Sequence, residues 1–213
     1  MTKIIQPHIN TNRFSYYFIK RSIDIIGSLL LLIILFPMYL FIVLLIYFSS
    51  GLPIIYSWRV IGFKGEPINS WKFRTMTHDA EKRKQKLLDK NEMNGPVFKI
   101  KNDPRVTREG VFLRKYSIDE SIQLISILKG DMSLVGPRPP LESEWNVFTD
   151  DYRKKVSVKP GLTGAWQVSG RNRINDFDDI ILIDMDYIEN WNLWLDIKIL
   201  LKTIPAVFKG TGY

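Results

Sequence analysis

The sequence predicts an α/β protein. An N-terminal re-entrant membrane helix packs on one small, compact α/β domain, and amphipathic helices lie at the membrane interface. Three observations predict this. Residues 25–48 carry no charge and consist mainly of Leu, Ile, Phe and Val, and about 20 apolar residues in a helix match a bilayer core. Pro37 interrupts that run, and basic residues flank both of its ends. From residue 51 onward, β-like stretches alternate with helical patterns, with no repeat, low-complexity tract or flexible linker between them. The expected boundaries are an interfacial segment over 1–19, the membrane helix kinked at Pro37 over 20–50, and the domain over 51–213.

The 213 residues suffice for one domain with a sizeable core plus a membrane segment. Cysteine is absent, which excludes a disulfide framework, cysteine-based zinc sites and a thiol nucleophile. Two histidines, His8 and His78, do not make a histidine-rich metal site. The formal charge of +8 calls for an anionic partner. Lipid headgroups, nucleic acid and phosphorylated substrates all satisfy it, so the arrangement of charges has to choose.

The apolar run is too long for a signal peptide, and no small-residue cleavage site follows it. Hydropathy alone reads it as a single transmembrane anchor. Pro37 removes one backbone hydrogen bond and bends the helix. Lys20 and Arg21 precede the run, and Arg59, Lys64, Lys72 and Arg74 follow it; all of these favour the cytoplasmic side. A segment that enters, bends at Pro37 and returns satisfies both flanks, provided its freed backbone groups find partners within the protein.

The elements follow in order. Residues 10–19, read with Lys20, mix aromatics with Arg and Lys, as an interfacial helix does. Residues 51–53 turn the chain, and 54–76 read as two strands around the Gly62–Pro67 loop. Residues 77–91 are polar and helical, with Thr77 as cap. A loop over 95–104 leads to a short helix around 107–115. Ser117 and Glu120 match a capping box for a helix running to about Leu128. Ile118, Ile122, Ile125 and Leu128 give it a buried face, and Gly130 stops it. Past the rigid Gly136–Pro140 loop come a helix over 141–156, a turn at 159–161, a strand over 163–168, and helices over 177–189 and 191–208.

The chemistry concentrates in a few places. Asp119 and Glu120 begin a helix, where carboxylates complement the positive end of the dipole. The same pair also offers a carboxylate that attacks phosphorus beside one that binds magnesium together with substrate phosphates. Arg138 lies between Pro137 and Pro139, which fix its backbone. It serves either as part of a plain connection or as an arginine aimed at a phosphate or nucleotide. Lys72 and Arg74 suit a solvated strand as well as a site. Arg171 and Arg173 form either a phosphate clamp or a basic loop. Asp184, Asp186 and Tyr187 read as surface or packing residues.

Five stretches, KRSIDIIGSLLLLIILFP, WKFRTM at 71–76, LRKYSIDESIQLISILKGDMSLVGPRPP at 113–140, VKPGLTGAWQVSGR at 158–171 and DMDYIENWNLWLDIKILLKT near the end, resemble the bacterial sugar transferase family. These are the monotopic phosphoglycosyl transferases, and the short N-terminus resembles their minimal form. The resemblance implies a re-entrant helix at the bacterial inner membrane and a catalytic domain on its cytoplasmic face. It implies Asp119 as nucleophile, Glu120 as the Mg2+ ligand, and Lys72 as a basic active-site residue. Pro137, Arg138 and Pro139 are expected at the nucleotide, and Arg114 and Arg171 at phosphates. Where many members have Ser-Pro at the helix break, this chain has Phe36 before Pro37, so no hydroxyl satisfies the freed carbonyl.

The expected reaction moves a sugar-1-phosphate from a UDP-sugar to polyprenyl (undecaprenyl) phosphate, releasing UMP through an aspartyl-phosphosugar intermediate. This is an opening step in exopolysaccharide, capsule or lipopolysaccharide assembly. The expected partners are the UDP-sugar, the polyprenyl phosphate and the inner leaflet of the bilayer. No nucleic acid is expected, because the basic residues form no recognised binding motif. The rival reading is a non-enzymatic, membrane-anchored basic scaffold. The region from Trp166 onward resembles members that handle galactose or glucose. Neither the sugar nor the oligomeric state is read from the sequence.

Overall fold

A computed structural model describes residues 13–170, 174–210 and 212. The first element, α1 (Arg13–Ser50), is one continuous helix with Pro37 inside it. At 1.5 Å per residue it is about 57 Å long. Residues 13–19, expected as a separate interfacial segment, are its first turns, and Tyr17 stacks on Trp191 at 5.4 Å. Residues 1–12 lie outside the described residues. One helix face remains bare and apolar, with Ile34 69% and Phe48 80% exposed.

The other face of α1 packs on the domain along its length. Near the start, Lys20 Nζ donates to Asp196 Oδ2 (2.6 Å) and to the Val135 carbonyl (3.0 Å). Arg21 donates to the carbonyls of Ile127 and Leu128. Asp24 accepts from Ser133 Oγ and from the Leu134 amide. Gly27 lets α1 approach closely here, since a Cβ would sit 2.9 Å from Leu134 Cδ1. Ile42 and Ile46 are buried against Phe73, Leu113 and Ile122. At the far end, Arg74 Nη2 donates to the carbonyls of Ser50 and Gly51, at 2.6 and 2.7 Å, satisfying carbonyls that a helix terminus otherwise leaves open.

An antiparallel hairpin follows, β1 (Ile55–Ile61) and β2 (Pro67–Phe73), on the two expected strands. Next come α2 (Ala80–Lys84), without a Thr77 cap, and α3 (Arg108–Lys115), capped by Thr107 Oγ1 accepting from the Gly110 amide. The capping box expected at Ser117 and Glu120 does not form. Ser117 is left-handed (φ 54°) and makes no capping bond, and Ile118–Gln123 winds as a 3-10 turn before α4 (Leu124–Lys129). The tighter winding rotates the buried face to Ile122, Leu124 and Ile127, leaving Ile125 exposed. Gly130 (φ 95°) stops α4 as expected.

β3 (Ser133–Val135) pairs in parallel with β4 (Gly161–Thr163). The connection was expected as one helix over 141–156. It is α5 (Glu142–Trp145), α6 (Asp150–Arg153) and a 3-10 turn, Lys154–Ser157, because Phe148 turns into the core and Thr149 caps afresh. The strand expected over 163–168 ends at Thr163, and α7 (Ala165–Val168) follows. A Cβ at Gly161 would lie 2.1 Å from the Gly136 amide, so the absence of a side chain there lets β4 lie against the Gly136 loop. α8 (Phe177–Glu189) and α9 (Leu193–Phe208) close the fold. On α9, Trp194, Ile197, Leu201, Ile204 and Phe208 form an exposed stripe at 3–4 spacing, the amphipathic surface that the sequence predicts.

Candidate active site

The site forms where β2, α3, the 118–123 turn and the loop after β3 converge. Lys72 lies on β2 opposite Tyr56. Its Nζ sits 4.7 Å from the Trp58 ring centroid and 5.8 Å from that of Tyr56. Arg114, near the end of α3, donates from Nε to Thr75 Oγ1 at 2.8 Å. Thr75 continues the strand that carries Lys72. α3 packs tightly on it, because a Cβ at Gly110 would fall 2.3 Å from the Thr75 carbonyl oxygen. Asp119 is 5% exposed on the 3-10 turn, with Glu120 beside it, half-buried. The turn therefore carries the Asp119 carboxylate inward, whereas a solvated helix start would leave it in water.

These charges act on one another. Burial pulls the Lys72 ammonium below its ordinary value, and Arg114 and Arg138 push the same way, while Asp119 and Glu120 hold it up. Burial also works against the Arg114 guanidinium, which Asp119 supports. The structure thus brings together three separate stretches of the chain: Lys72, then Arg114 with Asp119 and Glu120, and Arg138.

Arg138 projects from a rigid loop. Pro137 and Pro139 are buried, and the Pro137 carbonyl accepts from the Gly161 amide at 2.9 Å. Of the three, Arg138 alone keeps a substantial surface, with 35% of its side chain exposed. Its Nη1 donates to Glu144 Oε2 at 3.2 Å, and the same oxygen accepts from the Leu141 amide at 2.8 Å. Glu144 holds the guanidinium firmly charged. The sequence reading missed Glu144; its signal was an acid in the first turn of the helix that follows the proline loop.

Asp184, read as a surface or packing residue, is 1% exposed and ion-paired to Lys155 at 3.0 Å. Burial pushes its carboxyl up against the opposing pull of Lys155 and Arg138. Its inward direction follows from the spacing of Phe177, Ile180, Ile181, Asp184 and Tyr187, which are all buried on α8. Asp186 is exposed. Arg171 and Arg173 lie outside the described residues. Among the described residues no three His, Cys, Asp or Glu converge as a metal-binding group.

The structure thus sets an apolar helix against a small α/β domain that carries a buried carboxylate beside basic groups. The chain belongs to the bacterial sugar transferase family, whose model matches residues 15–210. It is 45% identical over 200 residues to the galactosyl transferase CpsE of Streptococcus agalactiae, covering 94% of this chain and 44% of that protein. It is 41% identical over 211 residues to the undecaprenyl-phosphate galactose phosphotransferase of Salmonella typhimurium, covering 95% and 43%. With the exopolysaccharide production protein ExoY of Sinorhizobium fredii the identity is 40% over 197 residues, covering 91% and 87%. The chain therefore spans less than half the length of the first two relatives and most of the third.

Proposed function

We propose that this chain transfers a sugar-1-phosphate from a UDP-sugar to polyprenyl phosphate at the inner face of the bacterial membrane. The observation that carries the reading is Asp119, buried on its 3-10 turn and acting electrostatically on Lys72 and Arg114, in a domain that lies along an apolar helix. A scaffold for anionic lipids accounts for the net charge, but it needs neither a buried carboxylate acting on Lys72 and Arg114 nor Arg138 beside Glu120 and Lys72. The names of the Streptococcus and Salmonella relatives favour galactose as the sugar.

In the first step an Asp119 carboxylate oxygen attacks the sugar-bearing phosphorus. A phosphorus–oxygen bond forms to Asp119, the bond to the UMP oxygen breaks, and UMP leaves. In the second step a phosphate oxygen of the lipid attacks the same phosphorus. The bond to Asp119 breaks, releasing polyprenyl diphosphosugar and restoring the carboxylate. Lys72 and Arg114 hold phosphate oxygens, and Arg138, fixed by Glu144, binds the nucleotide side; such transfer rests mainly on positioning and charge. Glu120 would hold magnesium, with substrate phosphates completing its coordination. When bound, it supplies charge neutralisation on the phosphate oxygens.

The re-entrant topology follows the same reasoning. Lys20, Arg21 and Asp24 tie one end of α1 to the domain, and Arg74 ties the other. Binding of both helix ends to one compact domain supports placing them on the same side of the bilayer. Detergent-solubilised protein with magnesium and UDP-galactose, but no lipid, should release up to about one equivalent of UMP per site and retain the phosphosugar on Asp119. A strict requirement for lipid would replace the covalent route by direct transfer.

A further inference from the structure

We infer that Tyr56 and Trp58 form the seat for the first isoprene units of the lipid acceptor, delivering its phosphate to Lys72. The inference rests on the reading of polyprenyl phosphate as acceptor.

The seat begins where the membrane helix ends. α1 stops at Ser50 and β1 starts at Ile55. The short link carries the exposed apolar side chain of Leu52, at 65%, continuing from Phe48 on the helix. Side chains alternate along a strand, so Tyr56 and Trp58 share one face. Their rings stack at 6.0 Å between centroids, inclined by 19°. The hairpin register sets Lys72 across from Tyr56, and its ammonium lies over both rings. Burial increases along this face: Tyr56 is exposed, Trp58 half-buried and Val60 fully buried.

The result is a stacked aromatic pair with its exposed end toward the membrane helix and a cation held over both rings. An amphiphile with an anionic head and an unsaturated branched tail matches both parts. Methyl and alkene groups pack on the ring faces, and the phosphate meets an ammonium already held near the rings. A nucleotide base is also flat and attached to phosphate. The pair's continuity with the helix end favours the lipid, as does the separate Arg138–Glu144 anchor proposed for the nucleotide.

The test uses the detergent-solubilised protein and a short polyprenyl phosphate bearing a photoreactive group on its first isoprene unit. Without UDP-sugar, the cross-link should map to the peptide containing Tyr56 and Trp58, and excess undecaprenyl phosphate should suppress it. In turnover, Tyr56→Leu with Trp58→Leu should raise KM for undecaprenyl phosphate about tenfold more than KM for UDP-sugar. Circular dichroism of the double variant should match wild type, and Tyr56→Phe with Trp58→Phe, which keeps both rings, should recover most of the lost KM for undecaprenyl phosphate. A cross-link confined to other peptides would overturn the inference. So would a rise in KM for UDP-sugar alone, which would assign the rings to the nucleotide. The cross-link needs no turnover. Wild-type protein that labels at these residues yet releases no UMP from any UDP-sugar would therefore sink the proposed reaction and leave the lipid seat standing.

Discussion

Asp119 and Asp184 are both buried carboxylates near basic groups, yet their surroundings differ. Asp184 is sealed with Lys155, their side chains 1% and 2% exposed, and no substrate can reach between them without unpacking α8. Asp119 acts on Lys72 and Arg114, with Arg138 acting on Lys72 and on the neighbouring Glu120, and Lys72 and Arg138 both keep part of their side chains at the surface. A closed pair satisfies its own charge and contributes to the fold. A carboxylate among several basic groups that are still accessible forms a site that an anion can enter. Burial alone therefore does not mark the reactive acid; the reach of its cationic neighbours to the surface does.

Four changes bear on that comparison, from the largest effect to the smallest. Asp119→Asn removes the nucleophile while nearly preserving shape, and turnover should fall by at least about a thousandfold. Circular dichroism should show an intact fold. Appreciable activity in that folded variant would end the distinction between the two acids.

Lys155→Met tests the closed pair. It strands a buried Asp184, and unfolding by urea should reveal a loss of about 3–5 kcal/mol. Joining it to Asp184→Leu should restore most of the stability, because replacing a buried ion pair by apolar groups is often neutral. Activity per folded molecule should return with it. A stable double variant that is inactive would move Asp184 from support to chemistry.

Glu144→Gln weakens the charge-assisted anchor of Arg138, and KM for UDP-sugar should rise about tenfold, with a smaller change in kcat. An equal effect on the lipid KM would point to a collapsed proline loop instead.

The smallest effect is on pH dependence. Burial lowers the Lys72 ammonium, so the site should lose this cation at a pH below its ordinary value of 10.5. The alkaline limb of kcat/KM should fall there and move upward in Lys72→Arg, whose guanidinium stays charged. The stability sign is opposite to that of activity. Between the lowered native value and the unfolded one, the unfolded chain binds more protons, so this group's contribution to stability rises with pH. An alkaline limb that stays in place in Lys72→Arg would exclude Lys72 as its source.

Much of this protein is decided by short-range patterns. The apolar run, the hairpin around 62–67, the Thr107 cap, the Gly130 stop and the limits of α8 depend on residues within a few positions of each other, and the sequence determines them by itself. The motif order also determines the family. Tertiary structure decides the rest. Ser117 and Glu120 satisfy a local capping rule, but packing of Asp119 and Ile122 against β2 and α1 outweighs a cap worth about 1 kcal/mol, and a 3-10 turn results. Residues 163–168 have strand-like side chains, but Trp166 and Val168 reach two different core clusters from a helix. Glu144, Lys155 and the aromatic pair beside Lys72 gain their meaning from contacts 6 to 29 positions away in the chain. Those contacts exist only once the chain has closed on itself, because electrostatics and packing act through space, whereas a pattern acts along the sequence.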